Sequence, residues 1–318
     1  MKEKLIAIVG PTAVGKTKTS IELAKALNGE IISGDSMQVY KHMDIGTAKV
    51  KDEEMEGIPH HLIDIKEPTE PFSVAEFQKR ATELITDINQ RGKIPIIVGG
   101  TGLYVQSVTH QYNFSDASSN VEFRNKLEQQ VAENGIEPLY QKLVSIDPKS
   151  AENIHPNNHR RVIRALEVYH ETGLTMSEYQ AKQQKESPYD LFMVGLTMDR
   201  DKLYERINMR VDMMVEEGLI EEVKGLHEKG VRDCQSVQAI GYKEIYDFIE
   251  GNVSLEGAIE NLKQNSRRYA KRQLTWFRNK MDISWYDMTN NREKVILEIL
   301  EDAAGKFIIK RECNTIDE

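Results

Sequence analysis

The sequence predicts an α/β fold: a parallel sheet flanked by helices, with a helical insertion domain and a helical C-terminal region. Three observations predict it. Short apolar runs of strand length alternate with helix-period stretches over the first 110 residues. The run at 94–98 has no polar alternation, as expected of a strand covered on both faces. Strand-like runs then vanish from 112 to 189 and return at 191–197. The chain has 318 residues, and at roughly 150 residues per domain that length suits two domains.

The elements follow in order. Residues 5–9 form the first strand and run into Gly10-Pro11-Thr12-Ala13-Val14-Gly15-Lys16-Thr17. A helix over 17–27 carries Ile21, Leu23, Ala24 and Leu27 at helical spacing and stops at Gly29. A second strand at 30–33 leads into Gly34-Asp35-Ser36, and 61–65 reads as a third. Ser73 and Glu76 form a capping box ahead of an apolar stripe of Val74, Phe77, Ala81, Leu84, Ile85 and Ile88, closed by Gly92. The fourth strand, 94–98, runs straight into Gly99-Gly100-Thr101-Gly102. Between 112 and 189, where Asn and Gln are frequent, short helices are expected. After the strand at 191–197, Asp199 is placed to cap a helix. The chain then reads as helical almost to its end, with breaks at Gly218, Gly230, Gly241 and Gly251. The expected organisation is a core of 1–111 and 190–318 around an insertion of 112–189.

The segment from Gly10 to Thr17 fits G-x-x-x-x-G-K-[ST], directly after an apolar strand and opening a helix. That makes the sheet P-loop nucleoside-triphosphate-hydrolase-like. Its backbone N–H groups and the helix N-terminus suit a phosphate. Lys16 adds a point charge, and the Thr17 hydroxyl is placed to ligate Mg²⁺. In a parallel sheet the end of the second strand opens on the same crevice. Asp35 there is placed either to accept a proton from a nucleophile or to cap its own turn. Thr101, at the same edge, is placed to donate to a phosphate oxygen or to the local backbone. No apolar run ends in the Asp that a hydrolytic P-loop enzyme needs for its metal, which favours transfer to a specific acceptor. Asn279-Lys280-Met281-Asp282 matches a guanine-reading motif but follows a basic helical stretch and lacks a D-x-x-G partner, so a GTPase is excluded.

Composition narrows the classes further. With 39% hydrophobic and 29% charged residues, the chain builds a core and is neither collagenous, disordered nor membrane-embedded. The apolar run at 5–9 is too short for a signal-peptide core or a bilayer span. Two cysteines without a CxxC speak against a disulfide framework or a Cys-rich zinc site and for a cytoplasmic home. The formal net charge is −9, which on its face argues against nucleic acid. Residues 263–280, however, hold seven basic side chains and no acidic one, so the remainder of the chain carries −16. On a helix Arg268, Lys271 and Arg272 share a face, with Tyr269, Trp276 and Phe277 interleaved. That combination suits a phosphate backbone and splayed bases. Arg160, Arg161 and Arg164 make a second basic spot.

Several segments together resemble the bacterial tRNA dimethylallyltransferases. They are Gly10–Thr17, Ile32-Ser33-Gly34-Asp35-Ser36-Met37-Gln38-Val39-Tyr40 and Asp44-Ile45-Gly46-Thr47-Ala48-Lys49. Val98-Gly99-Gly100-Thr101-Gly102-Leu103-Tyr104 and Arg160-Arg161-Val162-Ile163-Arg164-Ala165-Leu166-Glu167 continue the likeness. Gln235-Ser236-Val237-Gln238-Ala239-Ile240-Gly241-Tyr242 and Lys271-Arg272-Gln273-Leu274-Thr275-Trp276-Phe277-Arg278 complete it. The likeness runs from about residue 5 to 280 and lacks the cysteine-containing zinc finger of eukaryotic relatives.

The resemblance implies transfer of a dimethylallyl group from dimethylallyl diphosphate to N6 of the adenosine 3′-adjacent to the anticodon, on the anticodon stem-loop of a tRNA. It implies Asp35 as base, Thr101 and Arg210 beside the diphosphate, and Mg²⁺ as cofactor. It places Ser36, Met37, Gln38, Thr101, Arg124, Arg160, Arg161, Arg164, Gln238, Gly241 and Tyr242 along the RNA, and the insertion as a tRNA-binding domain. At Arg210 a surface salt bridge to Glu216 or Glu217 is the competing reading. A monomer without membrane contact is expected. Alternatives are a small P-loop nucleotide kinase, a prenyl transferase acting on free adenine nucleotides, and a non-catalytic RNA-binding sensor.

Overall fold

The computed structural model describes residues 2–112, 120–182 and 186–313, with 308–313 as backbone only. Contacts divide the chain into one unit of Met1–Thr109 with Ser187–Glu318 and another of His110–Glu186. Residues 113–119 and 183–185 of the expected insertion, and 314–318 of the expected helical C-terminal region, lie outside the described residues.

The first unit alternates strands and helices: β1 (Lys4–Val9), α1 (Lys16–Leu27), β2 (Gly29–Ser33), α2 (Asp52–Met55), β3 (His60–His61), α3 (Val74–Gln90), β4 (Ile94–Gly99) and α4 (Gly102–Thr109). The second unit holds α5 (Val121–Asn134), α6 (Glu137–Ile146), α7 (Pro148–Ala151), α8 (His159–Thr172) and α9 (Met176–Ala181). The first unit resumes with β5 (Asp190–Thr197), α10 (Arg200–Glu216), α11 (Leu219–Glu228), α12 (Tyr242–Ile249), α13 (Leu255–Lys280), β6 (Ser284–Asp287) and α14 (Arg292–Cys313).

The strands form one sheet in the order β3-β2-β4-β1-β5-β6, every pair parallel. Side chains alternate across it. Leu5, Ala7 and Val9 of β1 join one core with α3, α4, α11, α12 and α13. Ile6 and Ile8 join the other with α1, α10 and α14. Both faces are therefore buried, which is why the strands read as apolar runs. The parallel arrangement brings the ends of β1, β2 and β4 to one edge, where a ligand crevice is expected. The Asp199 cap holds, its side chain accepting from Asp201 N and Lys202 N. At Ser73 only half of the expected capping box forms: Ser73 accepts from Glu76 N, while the Glu76 carboxylate pairs with Arg80 and Lys66 instead of the Ser73 amide. Gly218, Gly230, Gly241 and Gly251 all have positive φ at helix boundaries.

Two expectations are corrected. The third strand is only His60–His61, because Leu62 (φ 63°) and Asp64 (φ 55°) turn left-handed and end the extended pairing. The C-terminal stretch is not wholly helical: Ser284–Asp287 adds β6 beside β5. Its aromatic pair Trp285 and Tyr286 favours a strand, but four residues are too few for a periodicity to show.

In the second unit, α5 to α8 pack around Leu127, Leu139, Leu143, Val162, Ile163 and Leu166. Glu167 is fully buried there and accepts Arg124 (3.0 Å), Arg164 (2.8 Å) and the Asn120 amide (3.0 Å). Burial alone would raise its pKa, but the Arg164 and Arg124 hydrogen bonds hold the carboxylate below its usual range. No helix among the described residues is long and apolar enough to cross a membrane.

Candidate active site

The loop after β1 is shaped by its backbone. Gly10 has φ +151°, and a Cβ there would lie 2.6 Å from the Leu196 carbonyl oxygen, so no other residue fits. Ala13 and Gly15 are also left-handed, and α1 begins at Lys16 with no acidic residue in its first turn. The first-turn amides of α1 thus meet no carboxylate of their own helix. The Lys16 ammonium turns back onto the Gly10 and Pro11 carbonyls (3.0 and 2.8 Å).

Two helices from far along the chain brace this loop. Gln273, buried on α13, accepts the Thr12 amide (2.9 Å) and donates to the Gly100 carbonyl (3.1 Å). Arg206 on α10 donates to the Ala13 carbonyl (2.9 Å). Neither role was legible in the sequence, since both depend on packing across almost 200 residues or more of chain. The Lys271–Arg278 segment was the only signal for Gln273, and it carried no role.

Asp35 stands opposite. Its Oδ1 accepts the Met37 amide (2.8 Å), so it does cap its own turn, and that bond also fixes the carboxylate in the crevice. The two readings of Asp35 are compatible. Thr101 Oγ1 faces Ser36, 3.4 Å from its amide and 3.5 Å from its hydroxyl. A cavity of about 190 Å³ covers the P-loop and includes Gly15, Lys16, Thr17 and Arg206. A second, of about 350 Å³, is walled by Met37, Val211, Met214, Ile240 and Leu262. The two share Thr12, Asp35, Thr47, Ala48, Arg210 and Tyr269.

The charges in this crevice are perturbed. Burial first and the Arg210 charge second push Lys16 down to about 7, with Asp35 opposing both. Burial also lowers Arg210, against Asp35, Glu54 and Glu217. Tyr269 is pushed up to about 12, chiefly by burial. Arg210 does not make the surface salt bridge that competed for it. Its guanidinium donates to the Ala48 carbonyl (3.4 Å), while Glu217 pairs with Lys51 (3.2 Å).

The expected RNA contacts divide. On α13, Arg268, Lys271 and Arg272 are exposed, with Arg272 over the Tyr269 ring (5.7 Å) and at the larger cavity. Lys263 is instead paired with Asp212 (2.6 Å) and Arg267 with Glu260 (3.1 Å), and Phe277 is core. Ser36, Met37 and Gln238 line the larger cavity. The Gln38 amide group is used by the Ser33 hydroxyl and the Thr47 and Ala48 carbonyls. Gly241 and Tyr242 are buried, and the Tyr242 hydroxyl donates to Glu222. Their expected RNA contact is corrected, because neither presents a surface. In the second unit Arg160 and Arg161 are exposed, whereas Arg124 and Arg164 share the one carboxylate of Glu167. That trio keeps a net positive charge, and both guanidiniums stay part-exposed.

The family model described as IPP transferase matches residues 38–280. The chain is 64% identical over 310 residues to a tRNA dimethylallyltransferase of Halalkalibacterium halodurans, covering 96% of this chain and 98% of that protein. It is 63% identical over 309 residues to one of Geobacillus thermodenitrificans, again covering 96% and 98%. Among solved structures, the full-length tRNA isopentenylpyrophosphate transferase of Bacillus halodurans matches with a TM-score of 0.76 and 61% identity, over 99% of this chain and 100% of that one. A eukaryotic dimethylallyltransferase, solved acting on tRNA, matches with a TM-score of 0.79 and 36% identity, over 91% and 74%.

The Lys16 environment gives a test with a definite sign. Its folded pKa of about 7 lies below the ordinary lysine value of 10.5, so the unfolded state binds more protons across that window. Through this group alone, stability rises as pH rises between those values. A fully ionised phosphate ligand bound beside it would favour the charged lysine, so such binding at about pH 8 takes up about one proton. Calorimetry in buffers of different ionisation enthalpy reads this directly. Wild type shows the uptake and Lys16→Met loses it; equal uptake in both contradicts the assignment.

Proposed function

The chain belongs to the IPP transferase family and is a transferase that prenylates tRNA, and we propose how its crevice does so. The enzyme transfers a dimethylallyl group from dimethylallyl diphosphate to N6 of the adenosine 3′-adjacent to the anticodon. One observation carries this reading: Asp35, Arg210 and Tyr269 belong at once to the phosphate cavity and to the larger, part-apolar cavity. A carboxylate at the junction suits a reaction between a diphosphate ester on one side and an amine on the other.

In this reading the P-loop amides, the α1 N-terminus, Lys16 and Arg210 hold the diphosphate. The N6–C1 bond forms as the C1–O bond breaks, the N6 proton passes to Asp35, and diphosphate leaves carrying the bond electrons. An exocyclic amine is a weak nucleophile, so proton removal during attack matters. Lys16 and Arg210 face the charge that grows on the leaving oxygens, and Thr101 stands at the same edge. No group of three His, Cys, Asp or Glu side chains gathers among the described residues. Thr17 lines the P-loop cavity, and its hydroxyl would be the residue that holds an Mg²⁺ there. When bound it supplies further charge neutralisation.

A base inside its stack is out of reach, so the adenosine flips into the larger cavity. Arg268, Lys271 and Arg272 take the phosphates of the anticodon stem-loop, and Arg160 and Arg161 of the second unit offer another exposed basic spot. In this reading the enzyme works as a monomer in the cytoplasm.

Purified protein given Mg²⁺, dimethylallyl diphosphate and unmodified tRNA yields N6-dimethylallyl adenosine, read by mass spectrometry of nucleosides. Prenylation of free AMP, ADP or ATP alone would overturn the acceptor, and ATP turnover with a small acceptor would point to a kinase. Replacing Arg268, Lys271 and Arg272 with Gln weakens tRNA binding and flattens its salt dependence, by roughly 0.7–0.9 in slope for each phosphate no longer neutralised. An unchanged slope removes α13 from the RNA interface.

A further inference from the structure

Residues 44–48 have no regular secondary structure, yet Gly46, Thr47 and Ala48 wall the larger cavity, and Thr47 and Ala48 the P-loop cavity too. A segment with no ladder of its own must satisfy its backbone elsewhere. Three successive amides do so on one carboxylate. Glu222 Oε2 accepts Asp44 N and Ile45 N (both 2.8 Å), and Oε1 accepts Gly46 N (3.1 Å). The Tyr242 hydroxyl donates to the same Oε1 (2.5 Å). Glu222 lies in the first turn of α11, where a negative charge is favoured.

The ring of Tyr242 also sets the distance of approach. It is fully buried, and a Cβ at Gly46 would lie 2.5 Å from it. Only glycine brings the segment this close. The carbonyls of the segment serve the crevice. Thr47 O and Ala48 O accept Gln38 Nε2 (3.2 and 3.3 Å), and Ala48 O accepts the Arg210 guanidinium (3.4 Å). The far end is held separately by Lys49, bonded to Tyr40 O (2.9 Å), Asp44 and Asp64.

We infer that Glu222, clamped by Tyr242, is a positioning residue: through the backbone of residues 44–48 it sets Arg210 for the diphosphate. This rests on the reading of Arg210 as a diphosphate ligand. It gives Gly46 and Tyr242, which meet no reacting atom, a shared role. Neither Glu222 nor Tyr242 touches substrate in this account.

The test is a double-mutant cycle with the full-length enzyme, varying dimethylallyl diphosphate and tRNA in turn. Glu222→Gln keeps the shape but sets an NH₂ group against amide donors. Its expected effect is about a tenfold rise in KM for dimethylallyl diphosphate, of the size of a lost charged hydrogen bond, with KM for tRNA unchanged. Tyr242→Phe moves the same parameter in the same direction by less. In an Arg210→Ala background the effect of Glu222→Gln disappears, because the two act through one interaction. Three results overturn the inference: unchanged KM for dimethylallyl diphosphate, a rise confined to tRNA, or full additivity with Arg210→Ala. If Glu222→Gln lacks a thermal unfolding transition, the same cycle is run with Tyr242→Phe, which removes one hydroxyl and no charge. Wild-type turnover in the same assay separates this test from the proposed reaction itself.

Discussion

Lys16 and Arg210 repel each other in a crevice where burial already disfavours both charges, and Asp35 is the carboxylate that faces them. The lysine is satisfied by two loop carbonyls, a weak substitute for an anion. In the proposed reaction a diphosphate relieves the repulsion and the burial cost together, and Asp35, beside those cations, receives the proton of the attacking amine. On that proposal binding and proton transfer draw on one arrangement of three charges.

The sheet makes that arrangement possible. Six parallel strands bring the P-loop, the turn of Asp35 and the turn of Thr101 to one edge, and the helices after β5 close it from above. Arg206 and Arg210 come from one of these, Tyr269 and Gln273 from another. Gln273 ties the P-loop to the Gly99–Gly100 turn through one side chain. The long basic helix therefore has two sides, one buried against the P-loop and one carrying the exposed Arg268, Lys271 and Arg272.

How much of this the sequence revealed follows the range of each interaction. The P-loop was legible because its function lies in consecutive backbone geometry, and the caps at Ser73 and Asp199 for the same reason. The strand at β6 was not, because it is too short for a period. Asp35 was placed correctly at a strand end, but its bond to Met37 needed coordinates. Arg124, Arg164 and Tyr242 show the opposite failure. A resemblance names a residue without saying what it bonds: Tyr242 is buried and bonded to Glu222, and Arg124 and Arg164, though part-exposed, both bond Glu167. Net charge misled for a related reason: an acid-free helix face was averaged into an acidic whole.

The central claim is that Asp35 takes the proton of the attacking amine. Single-turnover transfer by Asp35→Asn tests it most directly, because the asparagine oxygen can still accept the Met37 amide and preserve the turn. With tRNA and dimethylallyl diphosphate both saturating, the account predicts a rate lower by about 10²–10⁴, the usual worth of a general base, and tRNA affinity unchanged. A transfer rate equal to that of the wild type, measured at the same saturation, would contradict it.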